Sequence, residues 1–244
     1  MSVWDSFEAR VEAAGKTKRE RALNSTQMYM RYKTQHSLSS KIVSINGTEQ
    51  RVTIINQEEW DQRKIIALPG DTIPHGGIVD FADNKWLIIK KDPDAEICES
   101  GLMKQCNYLL KWRDRQTGEI IEKWSIVEDG TKYLIGEQDE DIISVGASRF
   151  ALTLAKDSDT VKLERGMRFL IYDPECSDVL AYELSKPNTF YNVYNEEGVY
   201  RFILREDQVT KDDNRELMVA DYYNWDVEDE RDDIDDGTQE GVWL

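Results

Sequence analysis

Two apolar runs flank a polar turn in Gly77-Ile78-Val79-Asp80-Phe81-Ala82-Asp83-Asn84-Lys85-Trp86-Leu87-Ile88-Ile89. Apolar and polar side chains alternate on both sides of the turn residues Asp83-Asn84, which is typical of half-buried strands. The pattern predicts an antiparallel hairpin in which Trp86 is a core residue, because aromatic side chains in alternating strands usually face the core.

A second hairpin is predicted a short way along the chain. Residues 108–112 and 120–124 are alternating segments on either side of a loop that contains Gly118. Trp112 and Trp124 are expected to join Trp86 in the core. A third hairpin precedes both, because Asn46-Gly47 lies between two apolar segments and these two residues favour a type I′ turn.

Short alternating segments continue over most of the remaining chain. They are residues 132–135, 142–145, 150–154, 161–163, 168–172, 179–184, 190–194 and 199–204. Short strands at regular spacing favour a small barrel or a sandwich. The polar segment Lys156-Asp157-Ser158-Asp159 is the best candidate for a domain boundary.

Two helices are predicted at the amino terminus. Ser2 with Asp5, and Thr17 with Glu20, each match the capping pair that begins a helix. The first helix is expected to stop at Gly15, and the second to continue to about Tyr32.

Charge is distributed unevenly along this chain of net charge −17. Residues 1–34 are basic on balance, whereas residues 226–240 hold nine acidic side chains against one basic one, Arg231. Such an acidic segment cannot bury enough apolar surface to order itself. The acidic body also disfavours stable binding to DNA, and no apolar run approaches the roughly 20 residues of a membrane helix.

No pattern of catalytic or metal-binding residues is recognisable. Three scattered cysteines and two histidines do not provide the paired ligands of a zinc site, and the acidic runs lack the spacing of a calcium loop. Gly15-Lys16-Thr17 lacks the earlier glycine of a nucleotide-binding loop, because Arg10 stands there. We therefore expect no enzyme activity, no catalytic residues, no metal and no cofactor.

The central strands resemble a known family. Gly77-Ile78-Val79-Asp80-Phe81 with Lys85-Trp86-Leu87-Ile88, followed by Cys106-Asn107-Tyr108-Leu109-Leu110-Lys111-Trp112, is similar to the head-closure or head-to-tail connector proteins of tailed bacteriophages of Gram-positive bacteria. Arg168-Phe169-Leu170 and Ala220-Asp221-Tyr222-Tyr223 resemble the second, sandwich-like domain of larger relatives.

The resemblance implies a virion structural protein of the phage neck, made in the host cytoplasm. It would form a homo-oligomeric ring below the portal, close the DNA-filled head and join it to the tail. Its partners would be identical subunits, the portal or an adaptor above, tail proteins below and, transiently, the passing DNA. We expect the basic amino terminus and the acidic carboxyl terminus to meet between neighbouring subunits.

Two alternatives stay open. One is another tail or baseplate component, such as a tail adaptor, and the other is a carbohydrate-binding β-sandwich module that uses exposed tryptophans. Candidate partner contacts are polar projections and the apolar end of the tail. They are Asp83, Asn84, Arg113, Arg115, Trp243 and Leu244.

The expected fold is mainly β, with amino-terminal helices, a small β-barrel, a second small β-sandwich-like domain and an acidic tail. Residues 1–155 would hold the helical pair and the barrel, residues 156–224 the sandwich-like domain, and residues 225–244 a flexible or docking tail.

Overall fold

The computed structural model describes Trp4 and residues 15–129, 149–173, 178–188, 193–194 and 196–224. These residues form the helix α1, Lys18–His36, and thirteen strands, which confirms the prediction of a mainly β protein. The strands are β1 Ser40–Ile45, β2 Thr48–Asn56, β3 Gln62–Ala67, β4 Ile78–Phe81, β5 Asn84–Lys91, β6 Ser100–Gln105, β7 Tyr108–Arg113, β8 Ile120–Asp129, β9 Arg149–Ala155, β10 Arg168–Asp173, β11 Asp178–Asn188, β12 Val193–Tyr194 and β13 Glu197–Asp207.

Helix α1 begins at the predicted capping pair. The backbone N–H of Glu20 donates to the Thr17 hydroxyl (3.1 Å), and the backbone N–H of Thr17 donates to the Glu20 carboxylate (3.2 Å). The helix runs past the predicted end near Tyr32 to His36, and the basic side chains in its last turn complement the helix dipole. Apart from Trp4, the first predicted helix lies outside the described residues.

The first six strands close into a barrel in the order β1-β2-β3-β6-β5-β4. The alternating residues of each strand fill its interior, as the period of two requires. The core includes Val52, Ile65, Val79, Trp86 and Met103, all of which are buried. The prediction that Trp86 is a core residue is confirmed.

The predicted hairpins of the barrel are present, with one shift in a turn. Asn46 and Gly47 both have positive φ (49° and 83°), as a type I′ turn requires. In the β4–β5 hairpin the positive φ values fall on Ala82 and Asp83 (52° and 59°), because Phe81 pairs with Asn84. The core sets this register: the buried Val79 lies opposite Trp86, which leaves an alanine in a left-handed position.

The second sheet has the order β10-β11-β13-β9-β8-β7, and β12 pairs with β13. Its two end strands are bridged by one side chain. The Tyr108 hydroxyl donates to the Leu170 carbonyl (3.3 Å) and accepts from the Tyr172 N–H (3.2 Å). The sheet is therefore barrel-like where a sandwich was predicted, because β7 and β10 approach each other across this seam.

Burial raises the pKa of Tyr108, so its hydroxyl stays protonated and able to donate. The core beneath the seam is aromatic. Trp112 meets Phe169 edge to face, with ring centroids 6.3 Å apart, and Phe202 is fully buried nearby. The prediction that Trp112 is a core residue is confirmed.

The chain passes from the first barrel to the second sheet at Cys106-Asn107, between β6 and β7. The segment Lys156-Asp157-Ser158-Asp159, where the sequence suggested a boundary, lies between strands of the second sheet. Strands β7, β8 and β9 precede that segment but pair into the same sheet as β13. Sheet membership is decided by long-range pairing, which a local change in polarity does not report.

The remaining strand predictions had mixed outcomes. Residues 160–162 form a 3-10 turn where a strand was predicted, because the Asp157 carboxylate accepts from the N–H groups of Asp159 and Thr160 (3.0 and 2.9 Å). Strands β3 and β6 were not predicted; β3 begins Gln62-Arg63-Lys64 and buries few residues. The segments 132–135 and 142–145 and the acidic tail lie outside the described residues.

Candidate functional site

The two sheets meet at a close backbone contact. Gly76, in the loop before β4, faces Gly198 at the start of β13, and a Cβ atom on Gly76 would lie 2.1 Å from the Gly198 carbonyl oxygen. The Gly198 N–H donates to the His75 carbonyl (3.2 Å), and the His75 N–H donates to the Glu197 carboxylate (3.1 Å). The buried His75 ring stacks on Tyr194, with centroids 5.8 Å apart.

Apolar side chains from both sheets also pack together where the sheets meet. The first barrel contributes Leu87, the second sheet contributes Ile126 and Val199, and Cys106 lies at the passage between them. Burial raises the pKa of the Cys106 thiol to about 12, so the thiol is neutral and unreactive at physiological pH. Cys98 and Cys106 are free cysteines, and Cys176 lies outside the described residues.

An ion pair also crosses the junction. The Lys104 ammonium of β6 lies 2.6 Å from the Glu128 carboxylate of β8 and 3.1 Å from the Asp61 carboxylate. Burial alone would lower the pKa of Lys104, but its hydrogen bonds to Glu128 and Asp61 outweigh burial and raise the pKa. Lys104 is therefore charged. The two sheets are thus held together by backbone, apolar and ionic contacts.

A cleft of about 330 Å³ opens beside the junction. Its walls include Asn46 and Ile78 from the first barrel, and Trp124, Asp157 and Thr160 from the second sheet. The outer face of β8 explains the position of Trp124. Along that face Ile126 is buried between the sheets and Glu128 pairs with Lys104, whereas Trp124 remains 37% exposed. The prediction that Trp124 is a core residue is wrong.

Lys123 crosses one end of the cleft to two carboxylates. Its ammonium lies 2.8 Å from Asp157 and 2.7 Å from Asp159. Burial alone would lower the pKa of Lys123, but the hydrogen bonds to the two aspartates raise it. The same bond lowers the pKa of Asp157, although burial opposes the effect. The raised pKa of Lys123 and the lowered pKa of Asp157 keep both groups charged at neutral pH, so the cluster is an ion-pair network.

The segment after β13, residues 208–224, is held by two arginines. The Arg168 guanidinium contacts the carboxylates of Asp207 (2.6 Å), Asp213 (2.9 Å) and Asp221 (2.6 Å). At the other end, Arg113 donates to the Tyr222 carbonyl (2.9 Å) and lies 5.0 Å above the Tyr222 ring. This segment is therefore fixed on the second sheet up to the start of the acidic tail.

The predicted partner contacts occupy different places. Asp83 and Asn84 project at the exposed β4–β5 turn, where the Asn84 amide donates to the Ala82 carbonyl (2.7 Å). Arg113 is half-buried against Tyr222, whereas Arg115 lies on the exposed loop between β7 and β8. The structure does not bring these two pairs into one site in any described contact. Trp243 and Leu244 lie outside the described residues.

Exposed apolar side chains mark two further surfaces that sequence reasoning did not single out. Trp60, in the loop between β2 and β3, is 90% exposed. On α1, the side chains of Met28, Tyr29 and Tyr32 are 72%, 61% and 64% exposed. An aromatic residue among charged neighbours, as in Glu58-Glu59-Trp60-Asp61, is the available signal for the first surface.

Among the described residues, no group of three or more His, Cys, Asp and Glu side chains is placed to hold a metal ion. In the same part of the chain, no helix is both long and apolar enough to cross a membrane.

Comparisons with known proteins give one family. Residues 18–105 match the model of the YomX N-terminal domain, a phage-associated family. The matched segment begins at the first residue of α1 and ends at the last residue of β6, so it covers the helix and the whole first barrel. No curated protein matches the chain.

Two solved structures have low similarity. They are the K. pneumonia MrkH–c-di-GMP complex (11% identity, 78% of this chain, 88% of that chain, TM-score 0.26) and MrkH described as a c-di-GMP dependent transcription regulatory factor (12%, 80%, 87%, 0.24). These TM-scores are too low to transfer fold or function. The match over the first barrel is to a phage-associated family, and it suggests a phage-related protein.

Proposed function

We propose that this chain is a non-enzymatic structural protein of the phage neck, which assembles into a ring below the portal, closes the DNA-filled head and joins it to the tail. The observation that carries the proposal is the match of the whole first barrel to a phage-associated family. The resemblance of the central strands to head-to-tail connector proteins supports the position that we propose in the particle.

The junction between the sheets suits a load-bearing part. A backbone contact that excludes even a methyl group, a buried apolar cluster and the Lys104–Glu128 ion pair leave little freedom between the two sheets. A ring subunit must hold its two contact surfaces at a fixed angle, because a small change in that angle prevents closure of the ring. The body would thus act as a rigid spacer.

The contact surfaces would be the projections on this body. Trp60, the turn at Asp83 and Asn84, and the outer face of α1 provide exposed groups on the first barrel. Aromatic side chains that are exposed in a free subunit are frequent anchors of protein interfaces. In a ring, each subunit would use one such surface to contact the next subunit and others to contact the portal and the tail.

Deletion of the gene from the phage that carries it tests the proposal. We expect lysates with DNA-packaging heads that lose their DNA and with free, complete tails, and we expect a plasmid copy to restore joined particles. Heads attached to incomplete tails would instead indicate a tail or baseplate component. Normal infectious particles would refute a structural role.

A carbohydrate-binding module is the second candidate, favoured by the exposed ring of Trp124 on the cleft. A glycan array probed with the purified chain, and with the Trp124→Ala variant as its control, tests this function. Binding that the substitution abolishes would support a sugar site. Absence of binding, or binding unaffected by the substitution, would reject the cleft as that site.

A further inference from the structure

Helix α1 has an inner and an outer face. Leu23, Gln27, Met30 and Thr34 recur at helical spacing and are half-buried or buried, so they form the inner face. The Arg31 guanidinium, which donates to the Pro69 carbonyl (2.8 Å), adds to the attachment of the helix to the first barrel. The outer face is left to solvent.

The outer face is apolar at its centre and basic along its length. Met28, Tyr29 and Tyr32 are exposed side by side, and the Tyr32 ring packs on His36 with centroids 4.3 Å apart. Lys18, Arg21 and Lys33 are exposed on the helix, whereas Arg19 pairs with Glu96 and Arg31 contacts the first barrel. In a chain of net charge −17, this is a local positive patch with an aromatic centre.

The carboxyl-terminal segment has the complementary chemistry. Residues 226–240 hold nine acidic side chains and one basic one, and Val242-Trp243-Leu244 follow as an apolar end. The outer face of α1 and the tail therefore each combine charged and apolar side chains, and their charges have opposite sign. Segment 208–224 fixes the start of the tail on the second sheet through Arg113 and Arg168, whereas α1 lies on the first barrel.

We propose that the outer face of α1 binds the acidic tail, residues 225–244, of a second copy of the chain. Twenty residues reach at most roughly 65 Å when extended, which sets the farthest distance at which the tail can contact an α1. Each copy then both gives a tail and accepts one. Such a head-to-tail relation forms a ring when the rotation between neighbouring copies closes, and in this respect the inference rests on the proposed function.

Two full-length variants distinguish the copy that gives its tail from the copy whose α1 accepts it. In the first, the nine acidic residues of 226–240 become the corresponding amides, so it can only accept a tail. In the second, Lys18→Glu and Lys33→Glu replace two exposed positive charges of α1 by negative ones, so it can only give one. We expect neither variant to associate alone and their mixture to form a 1:1 complex in sedimentation velocity, with affinity at least tenfold lower in 0.5 M salt.

A matched control is Arg165→Glu with Lys211→Glu, which makes the same charge change at exposed turn positions, one before β10 and one in segment 208–224. This control should associate like the wild type. A third variant, Tyr29→Ser with Tyr32→Ser, should weaken association at least fivefold without a charge change. Circular dichroism of each variant verifies folding, and the unmixed variants serve as baselines.

Several outcomes would overturn the inference. They are a monomeric wild type, a mixture that stays monomeric, equal loss of association in the control, and energy transfer between tail and α1 within isolated monomers. The assay is independent of the particle. A 1:1 complex from a protein absent from virions would refute only the proposed function, and a neck protein without this complex would refute only the inference.

Discussion

Gly76 and Gly198 join the two sheets through a backbone contact that has no room for a side chain. The Gly198 carbonyl oxygen lies 2.1 Å from the position of a Cβ atom on Gly76, and this same carbonyl accepts from the Lys156 N–H (3.0 Å). The contact therefore couples the loop before β4 to β13 and to the end of β9. A methyl group at Gly76 would separate all three.

We predict that Gly76→Ala lowers the free energy of unfolding by about 3 kcal/mol or more, because it adds a steric clash to a left-handed backbone (φ 84°). Gly47→Ala is the matched control. It has the same backbone region (φ 83°) but open space around the new methyl group, so we expect a loss of only about 1 kcal/mol. Urea unfolding measures both, and equal losses would show that the junction is not tightly packed.

The seam of the second sheet gives another prediction. Tyr108→Phe removes the hydroxyl that bridges Leu170 and Tyr172 and leaves the buried core unchanged in shape. We expect a loss of about 1 to 2 kcal/mol, since two backbone groups of β10 lose a partner. Faster amide hydrogen exchange at Tyr172 would locate the effect. Tyr29→Phe on the exposed face of α1 should change neither quantity.

The Arg168 cluster predicts the response to acid. Burial alone would raise the pKa of Asp213, but the N–H groups of Asp221 and Thr210 and the Arg168 guanidinium lower it. A carboxylate with a lowered folded-state pKa stabilises the fold above its unfolded pKa, near 4, and this contribution is lost as the pH falls through the folded-state pKa. Stability should therefore fall below about pH 4.

We expect Asp213→Asn to cost about 3 kcal/mol at pH 7 and to flatten the decline in stability between pH 4 and pH 2. Asp207→Asn, at the more exposed edge of the same cluster, should cost about 1 kcal/mol or less. Urea unfolding across this pH range measures both variants. If the stability of Asp213→Asn declined below pH 4 as steeply as that of the wild type, the pH dependence would come from other carboxylates. Asp114 is one of them, because its hydrogen bond to Lys162 lowers its pKa.

The β4–β5 turn predicts a stabilising substitution. Ala82 has φ 52°, in the left-handed region that costs an alanine roughly 1 kcal/mol and that asparagine tolerates better. Ala82→Asn should raise the free energy of unfolding by about 0.5 kcal/mol, measured by urea unfolding. A loss of stability would mean that the Ala82 methyl group makes a stabilising contact in the turn.

The sequence predicted correctly those elements that depend only on residues close together in the chain. The Asn46-Gly47 turn and the Thr17–Glu20 capping box were predicted because each needs only residues a few positions apart. Strand β3 was missed because Gln62-Arg63-Lys64 reads as polar, and it is a strand because β2 and β6 pair with both of its sides. The β4–β5 turn was placed one residue late because the core, through Val79 and Trp86, sets the register.

The junction was beyond sequence reasoning for the same reason. Gly76 and Gly198 are more than a hundred residues apart, and neither has a neighbour that identifies the other. Trp124 has the alternating pattern of a core residue, and it lines the cleft because the outer face of β8 turns toward the first barrel. A pattern in one strand reports that a face is apolar but not which surface covers it.

Cryo-electron microscopy of virions from the phage that carries the gene tests the central claim most directly. The account predicts a symmetric ring of this chain between the portal and the tail, with the two-sheet body fitting the density as one rigid unit. Virions whose neck density does not contain this chain would contradict it, whether the protein was found elsewhere in the particle or was absent from it.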